Sequence, residues 1–255
     1  MDRLTIIKVG GKVVEESESL NALLDQFARI SGNKLLVHGG GRTATEIARK
    51  LSIETKMVEG RRITDAEMLD VVTMVYGGLV NKKIVAGLQS RDINAIGLTG
   101  ADLNLIHAHK RPVKDINYGF VGDVEDVNPQ ELRLLINENV VPVIAPLTHD
   151  GKGQILNTNA DTIASELAIE LSNYFSVYLF YCFEKRGVLT DTDDESSMIY
   201  DLNEQLFEKY KEEGVISEGM IPKLDTGFRA KRKGVKEILI TNSENIVTGR
   251  GTRLE

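Results

Sequence analysis

Two short apolar runs, each closed by glycines, constrain this chain more than any other feature. The first, residues 4–9, carries Lys8 near its end and runs into Gly10 and Gly11. The second, residues 35–37, runs into His38, Gly39, Gly40 and Gly41. A short apolar run that ends in glycine and opens on a helical pattern reads as a strand–turn–helix unit. An unpaired ammonium at the end of a buried strand is costly. Glycines beside it free backbone N–H groups to approach a ligand. Together the two turns point to a site for an anion, phosphate foremost. The plainer alternative for Lys8 is an exposed lysine in an ordinary turn.

The chain has 255 residues, enough for one large domain or two small ones. Its net charge of −7 argues against broad nucleic-acid binding. Any anion is therefore caught locally, by placed cations and backbone dipoles. Cys182 is the only cysteine, so no internal disulfide forms, and a reducing cytoplasm is the expected home. No stretch reads as transmembrane; the longest apolar runs suit strands and core helices.

Strand and helix patterns alternate along the chain. Strands are expected over 5–9, 35–37, 93–98, 105–109, 118–127, 140–145, 175–183 and 237–241, with a last short one in the tail. Helices are expected over 19–30, 40–51, 66–88, 130–137, 162–171, 202–213 and 224–233. Gly77 and Gly78 interrupt the third of these, and 56–63 reads as a hairpin. This alternation argues for an α/β fold with a mostly parallel, doubly wound sheet between helical layers. Ligands on such a sheet bind beyond the carboxyl ends of its strands, where both glycine turns lie. A soft boundary near residue 172 divides a lobe of 1–172 from one of 173–255, over one continuous sheet.

Several segments carry chemistry, each beside a plainer reading. Gly39-x-Gly41-x-x-Ala44 fits a dinucleotide fingerprint, with Glu59 at a suitable distance, but it lies in the second strand–helix unit and leaves Lys8 unexplained. The helix opening there can still bind an anion through free N–H groups. His38 reads as a structural histidine. Arg61 and Arg62 are a solvated pair or a guanidinium fork for a carboxylate. Asn157-Thr158-Asn159-Ala160-Asp161 precedes a helix, so Asn159 or Asp161 caps it, while Asn157 fits a substrate and Asp161 a lysine. Lys223 follows Pro222 at a helix start, where a cation opposes the helix dipole. The acidic run 191–195 reads as a solvated loop, without the pattern of a calcium loop.

The ordered set Lys8-x-Gly-Gly, His-Gly-Gly-Gly, Gly60-x-Arg62-x-Thr64, Asn157-x-Asn159-Ala160-Asp161 and Gly219-Met220-Ile221-Pro222-Lys223 resembles the acetylglutamate kinases of the amino-acid kinase superfamily. The resemblance runs over nearly the whole chain. It implies the three-layer fold of that superfamily, and transfer of phosphate from ATP to the γ-carboxylate of an N-acylated glutamate, the second step of arginine biosynthesis. It also implies that Lys8 and Lys223 flank the phosphoryl group and that Asp161 holds them. Gly11, Gly40 and Gly41 would donate N–H groups, Arg62 would pair with the substrate α-carboxylate, and Asn157 would fix the substrate. Gly187, Val215, Ile216 and Ser217 would line the nucleotide site. Magnesium is expected on the nucleotide phosphates rather than in a protein cage. The glutamate-binding lobe would be 1–172 and the nucleotide lobe 173–255. Arginine-inhibited hexameric relatives carry an extra N-terminal helix, whereas this chain begins at strand one, so a homodimer is expected.

Two departures bear on detail. The nucleotide-lobe turn reads Tyr181-Cys182-Phe183-Glu184-Lys185-Arg186-Gly187, without the aspartate usual in relatives, and Lys185 is the expected phosphate contact there. Arg61 is a second arginine beside Arg62, and raises N-succinylglutamate as an alternative substrate. The remaining alternatives are a non-catalytic amino-acid sensor and a dinucleotide-dependent oxidoreductase.

Overall fold

The first apolar run lies at the middle of the molecule. The computed structural model describes residues 1–58, 60–216 and 219–255. Its strands are β1 (Arg3–Val9), β2 (Asn33–His38), β3 (Met57–Val58), β4 (Arg61–Arg62), β5 (Ala95–Leu98), β6 (Ile106–Lys110), β7 (Gly122–Val127), β8 (Val141–Ile144), β9 (Leu147–His149), β10 (Ile155–Asn157), β11 (Ser176–Phe183), β12 (Asp201–Leu202), β13 (Glu237–Asn242) and β14 (Thr252–Leu254). The α-helices are α1 (Gly11–Glu15), α2 (Ser17–Arg29), α3 (Gly41–Lys50), α4 (Ala66–Val72), α5 (Asn81–Gln89), α6 (Pro129–Asn137), α7 (Ala160–Leu171), α8 (Glu204–Glu212) and α9 (Ile221–Arg232).

Eight strands form the main sheet in the order β12-β14-β13-β11-β1-β2-β8-β5. All its pairings are parallel except β13 with β14. β1 pairs with β2 on one side and β11 on the other, so the chain winds out from β1 in both directions. A crevice opens at such a reversal, beyond the carboxyl ends of the strands. Strands from both sides of residue 172 share this one sheet. A smaller sheet, β10-β9-β6-β7, and the hairpin β3-β4 stand beside the main one.

Alternation along β1 sorts its side chains between two cores. Leu4 and Ile6 join Leu35, Val37, Ile163, Leu167, Leu179 and Phe228 on the face covered by α7 and α9. Ile7 and Val9 join Leu23, Phe27, Leu36, Val72, Ile84 and Phe180 on the face covered by α2, α4 and α5. The same period sends Lys8 toward α7 and His38 toward α5.

Three expectations need correction. The glycines at 77 and 78 do not break the third helix; α4 and α5 continue through a π-helical stretch, Thr73–Val80, into one rod. That rod, Ala66–Gln89, is long and apolar enough by composition to cross a membrane. Here it is a core helix, with Val71, Val72, Val75, Val80, Ile84 and Leu88 buried against the sheet. Residues 118–121 are not a regular strand, and β7 begins only at Gly122. Finally, a short helix, α1, follows Gly10 directly, where no helix was expected before residue 19.

Residues 111–121 instead form a loop pinned to the end of β4. Thr64 N donates to Tyr118 O at 2.9 Å, and Phe120 N to Thr64 O at 2.6 Å. Gly119 sits between them at φ +72°, and a Cβ there would lie 2.1 Å from Thr64 O. Gly119→Ala combines left-handed strain with a backbone clash, and is expected to cost on the order of 2–4 kcal/mol. Urea denaturation of the variant beside the parent protein measures that loss.

Candidate active site

Lys8 and Asp161 are each 6% exposed, so the ammonium and the carboxylate are both inside the protein. They meet because β1 and α7 share a face of the sheet. Lys8 Nζ lies 2.6 Å from Asp161 Oδ1. Asp161 is placed by the cap of α7, where Asn159 Oδ1 accepts from Asp161 N at 2.7 Å and Thr162 N at 3.1 Å. Asn159 is therefore the cap, which leaves the Asp161 side chain free to face the lysines. On its other side, Lys223 Nζ comes to 3.3 Å from Asp161 Oδ2, carried by the first turn of α9. Burial alone raises the Asp161 carboxyl, but Lys8 and Lys223 outweigh it and hold it below its ordinary value. One buried carboxylate thus holds two cations at the carboxyl end of β1.

The glycine turns meet on the adjoining side. A Cβ on Gly11 would lie 3.5 Å from Gly41 N and 3.6 Å from Gly40 N, so only glycine leaves these amides uncovered. Arg62 is buried beneath them, with Nη2 donating to Gly41 O at 2.7 Å and Thr45 Oγ1 at 2.9 Å. Among the described residues its Nη1 makes only long contacts, to Thr55 Oγ1 at 3.5 Å and Met68 Sδ at 3.8 Å. Asn157, on β10, donates to Thr64 Oγ1 at 2.9 Å, two residues from Arg62. Arg61 is exposed and, as the next residue on a strand, faces away from Arg62.

The third group lies toward α9. Phe183, Lys185, Gly187, Val188, Leu189, Thr192, Ile216 and Met220 line a largely apolar cleft of about 80 Å³. Lys185 Nζ donates to Thr192 O at 3.0 Å on its rim. Val215 is half-buried next to Ile216 and does not line the cleft. Ser217 lies outside the described residues.

Residues 3–242 match the amino acid kinase family. Acetylglutamate kinases from Bacteroides fragilis, Parabacteroides distasonis and Methanopyrus kandleri are 61%, 58% and 39% identical to the chain. These matches cover 100%, 100% and 98% of this chain, and 97%, 100% and 99% of those proteins. The chain belongs to the acetylglutamate kinases of the amino acid kinase family. Solved structures share the fold at much lower identity. N-acetylglutamate synthase from Neisseria gonorrhoeae, complexed with coenzyme A and N-acetyl-glutamate, has a TM-score of 0.83 at 18% identity, over 98% of this chain and 59% of that one. Giardia lamblia carbamate kinase bound to AMP-PNP has a TM-score of 0.72 at 12% identity, over 99% of this chain and 98% of that one. As a member of this family the protein is an enzyme, a kinase.

Two features of this kinase were not legible in its sequence. Glu15, at the end of α1, places Oε1 2.7 Å from Arg42 N and 3.0 Å from Thr43 N. An internal carboxylate therefore occupies N–H groups of the α3 terminus that were expected to be free for a ligand. An anion is left the amides of Gly11, Gly40 and Gly41, which donate to no protein acceptor among the described residues. A negative side chain at that helix start also opposes the pyrophosphate of a dinucleotide. The second feature is the company of His38. The ring is wholly buried, with Nδ1 2.7 Å from Gly39 O and Nε2 3.2 Å from Asn81 Nδ2.

Burial pushes the His38 pKa down to about 4, against a smaller upward pull from the Gly39 carbonyl. The folded value lies below the unfolded one, so below pH 6.5 the unfolded chain binds the extra proton. Stability should therefore fall as pH drops from about 6.5 toward 4, by about 2 kcal/mol at pH 5. Urea denaturation at pH 7 and pH 5 is expected to show this increment in the parent protein and to lack it in His38→Gln.

Proposed function

We infer that the chain transfers the γ-phosphoryl group of ATP to the side-chain carboxylate of N-acetyl-L-glutamate, forming an acyl phosphate in arginine biosynthesis. The observation that carries this reading is Asp161 holding Lys8 and Lys223 beside three unengaged glycine amides. A glutamate-type carboxylate has a pKa of about 4.3 and is already ionised at neutral pH, so it attacks without a general base. What the reaction needs is in-line placement and relief of repulsion between anions. Lys8 and Lys223 supply charge on either side of the phosphoryl group, and Asp161 fixes the spacing between them. The amides of Gly11, Gly40 and Gly41 stabilise oxygens that gain charge in transit.

Arg62 fits the substrate α-carboxylate, because it is buried near the cradle and its Nη1 has only long contacts among the described residues. Asn157 lies close enough to Arg62 to fix the rest of the substrate. The cleft between Phe183 and Met220 suits an adenine ring, with Lys185 at its rim for a phosphate. Gly187 and Ile216 form walls of that cleft, and Val215 and Ser217 adjoin it in sequence. On this reading residues 1–172 hold the acylated glutamate and 173–255 the nucleotide. Magnesium, carried on the nucleotide phosphates, screens their charge.

The chain is expected to act in the cytoplasm as a homodimer. Met74, Leu79 and Ile96 are exposed on the long rod and on the edge strand β5, and covering them is a reason for two copies to associate. Arg61, pointing away from Arg62, lends no support to a dicarboxylic acyl group. The sensor reading leaves buried Lys8 and half-buried Lys223, both held on Asp161, without a purpose.

The deciding assay follows ADP release from ATP and magnesium with N-acetylglutamate, N-succinylglutamate or free glutamate, with hydroxylamine to trap the acyl phosphate. Turnover of N-acetylglutamate, and none of free glutamate, is expected. No turnover of any of the three by folded protein overturns the reading. Lys8→Met should lower kcat by about 10²–10³ with little change in KM for the acylated glutamate. Lys185→Ala should raise KM for ATP several-fold and leave kcat nearly unchanged. Steady-state kinetics on the two variants check both.

A further inference from the structure

His38 and Asn81 are buried polar side chains to which the phosphoryl-transfer chemistry assigns no part. Their hydrogen bonds leave a single arrangement of protons. Lys82 Nζ lies 3.2 Å from Asn81 Oδ1, and an ammonium only donates, so that atom is the amide oxygen. The other amide atom lies 2.9 Å from Val143 O, and a carbonyl only accepts, so it is the nitrogen. The same nitrogen faces His38 Nε2, which must then accept and carry no proton. The ring proton is left on Nδ1, where it is donated to Gly39 O at 2.7 Å. Groups without a choice, an ammonium at one end and carbonyls at the other, set the tautomer in between.

The consequence falls on the glycine cradle. No cis peptide occurs among the described residues, so the Gly39–Gly40 peptide is planar and trans. In such a unit the N–H points opposite to the C=O. Drawing Gly39 O toward His38 aims Gly40 N–H the other way, and Gly40 N lies on the side of Gly11. Gly39 N, in the preceding peptide, is meanwhile anchored to Val9 O at 3.1 Å, which fixes the chain just ahead of that unit.

We propose that His38, locked as its Nδ1–H tautomer by Asn81, is a positioning residue that aims the Gly40 amide at the phosphoryl group in transit. This rests on the reading of the glycine turns as the phosphoryl-transfer cradle. His38 touches no reacting atom. It acts through one peptide plane, and its neutrality keeps a second ring proton away from the Asn81 amide. Lys82, anchored to Gly97 O at 3.0 Å, is the outer end of the same chain of bonds.

Two measurements test it. In ¹⁵N-labelled protein the His38 ring, identified by loss of its signals in His38→Asn, should show a proton on Nδ1 and none on Nε2 at pH 7. A proton on Nε2 overturns the proposal without reference to activity. The second measurement is kinetic. The amide of asparagine falls near the place of Nδ1, whereas that of glutamine falls near Nε2. His38→Gln should lower kcat roughly tenfold to a hundredfold, with KM for both substrates within about threefold of the parent. His38→Asn should recover at least tenfold of that loss. Equal kcat in the two variants, or a loss expressed only in KM, contradicts the positioning role. An inactive parent protein would instead defeat the kinase reading and leave the tautomer result standing.

Discussion

A carboxylate in the interior of a protein is stable only where cations come to it, and this fold brings two to Asp161. One arrives on the central strand and the other on the first turn of a helix. Neither lysine is comfortable by itself. Lys8 is buried at a strand end, and Lys223 sits where the helix dipole repels it. Asp161 resolves both, and the result is two ammonium groups held a fixed distance apart at the mouth of a parallel sheet. Removing one member of the buried Lys8–Asp161 pair is strongly destabilising, on the order of 3–5 kcal/mol, because it strands the other. On the proposed reading, the same arrangement serves both the fold and the chemistry.

Around this centre, charge is rationed by position. Glu15 takes the Arg42 and Thr43 amides of the α3 terminus, which leaves the glycine amides ahead of it for a ligand. Arg62 takes the Gly41 carbonyl, which turns that peptide's acceptor away from an incoming anion. His38 does the same for the Gly39 carbonyl. Three side chains from three elements thus withdraw competing charge from one surface of backbone N–H groups. Such a surface can select an anion although the chain as a whole is negative.

Much of this was legible because the signals are local. Apolar runs closed by glycine marked β1 and β2, and strand parity alone sends Lys8 to the face where α7 begins. The alternation of patterns marked a doubly wound sheet. What was not legible depends on partners far along the chain. Glu15 reaches an amide 27 residues away, and His38 meets Asn81 at a separation of 43. Neither pairing leaves a periodic trace. Residues 118–121 alternate like a strand, yet they lie in a loop held by Thr64 across a sequence gap that no pattern encodes. Gly77 and Gly78 read as a break because glycine weakens an isolated helix, whereas packing against the sheet carries the rod through a π-helical stretch.

The central claim is that Lys8 and Lys223 grip the phosphoryl group from either side while Asp161 holds them both. A crystal structure with ADP, aluminium fluoride, magnesium and N-acetylglutamate tests it most directly, because the planar fluoride stands in for the phosphoryl group in transit. The account predicts both Nζ atoms within hydrogen-bond distance of that group, with each still paired to Asp161. A fluoride complex seated elsewhere, or contacted by neither lysine, would contradict it.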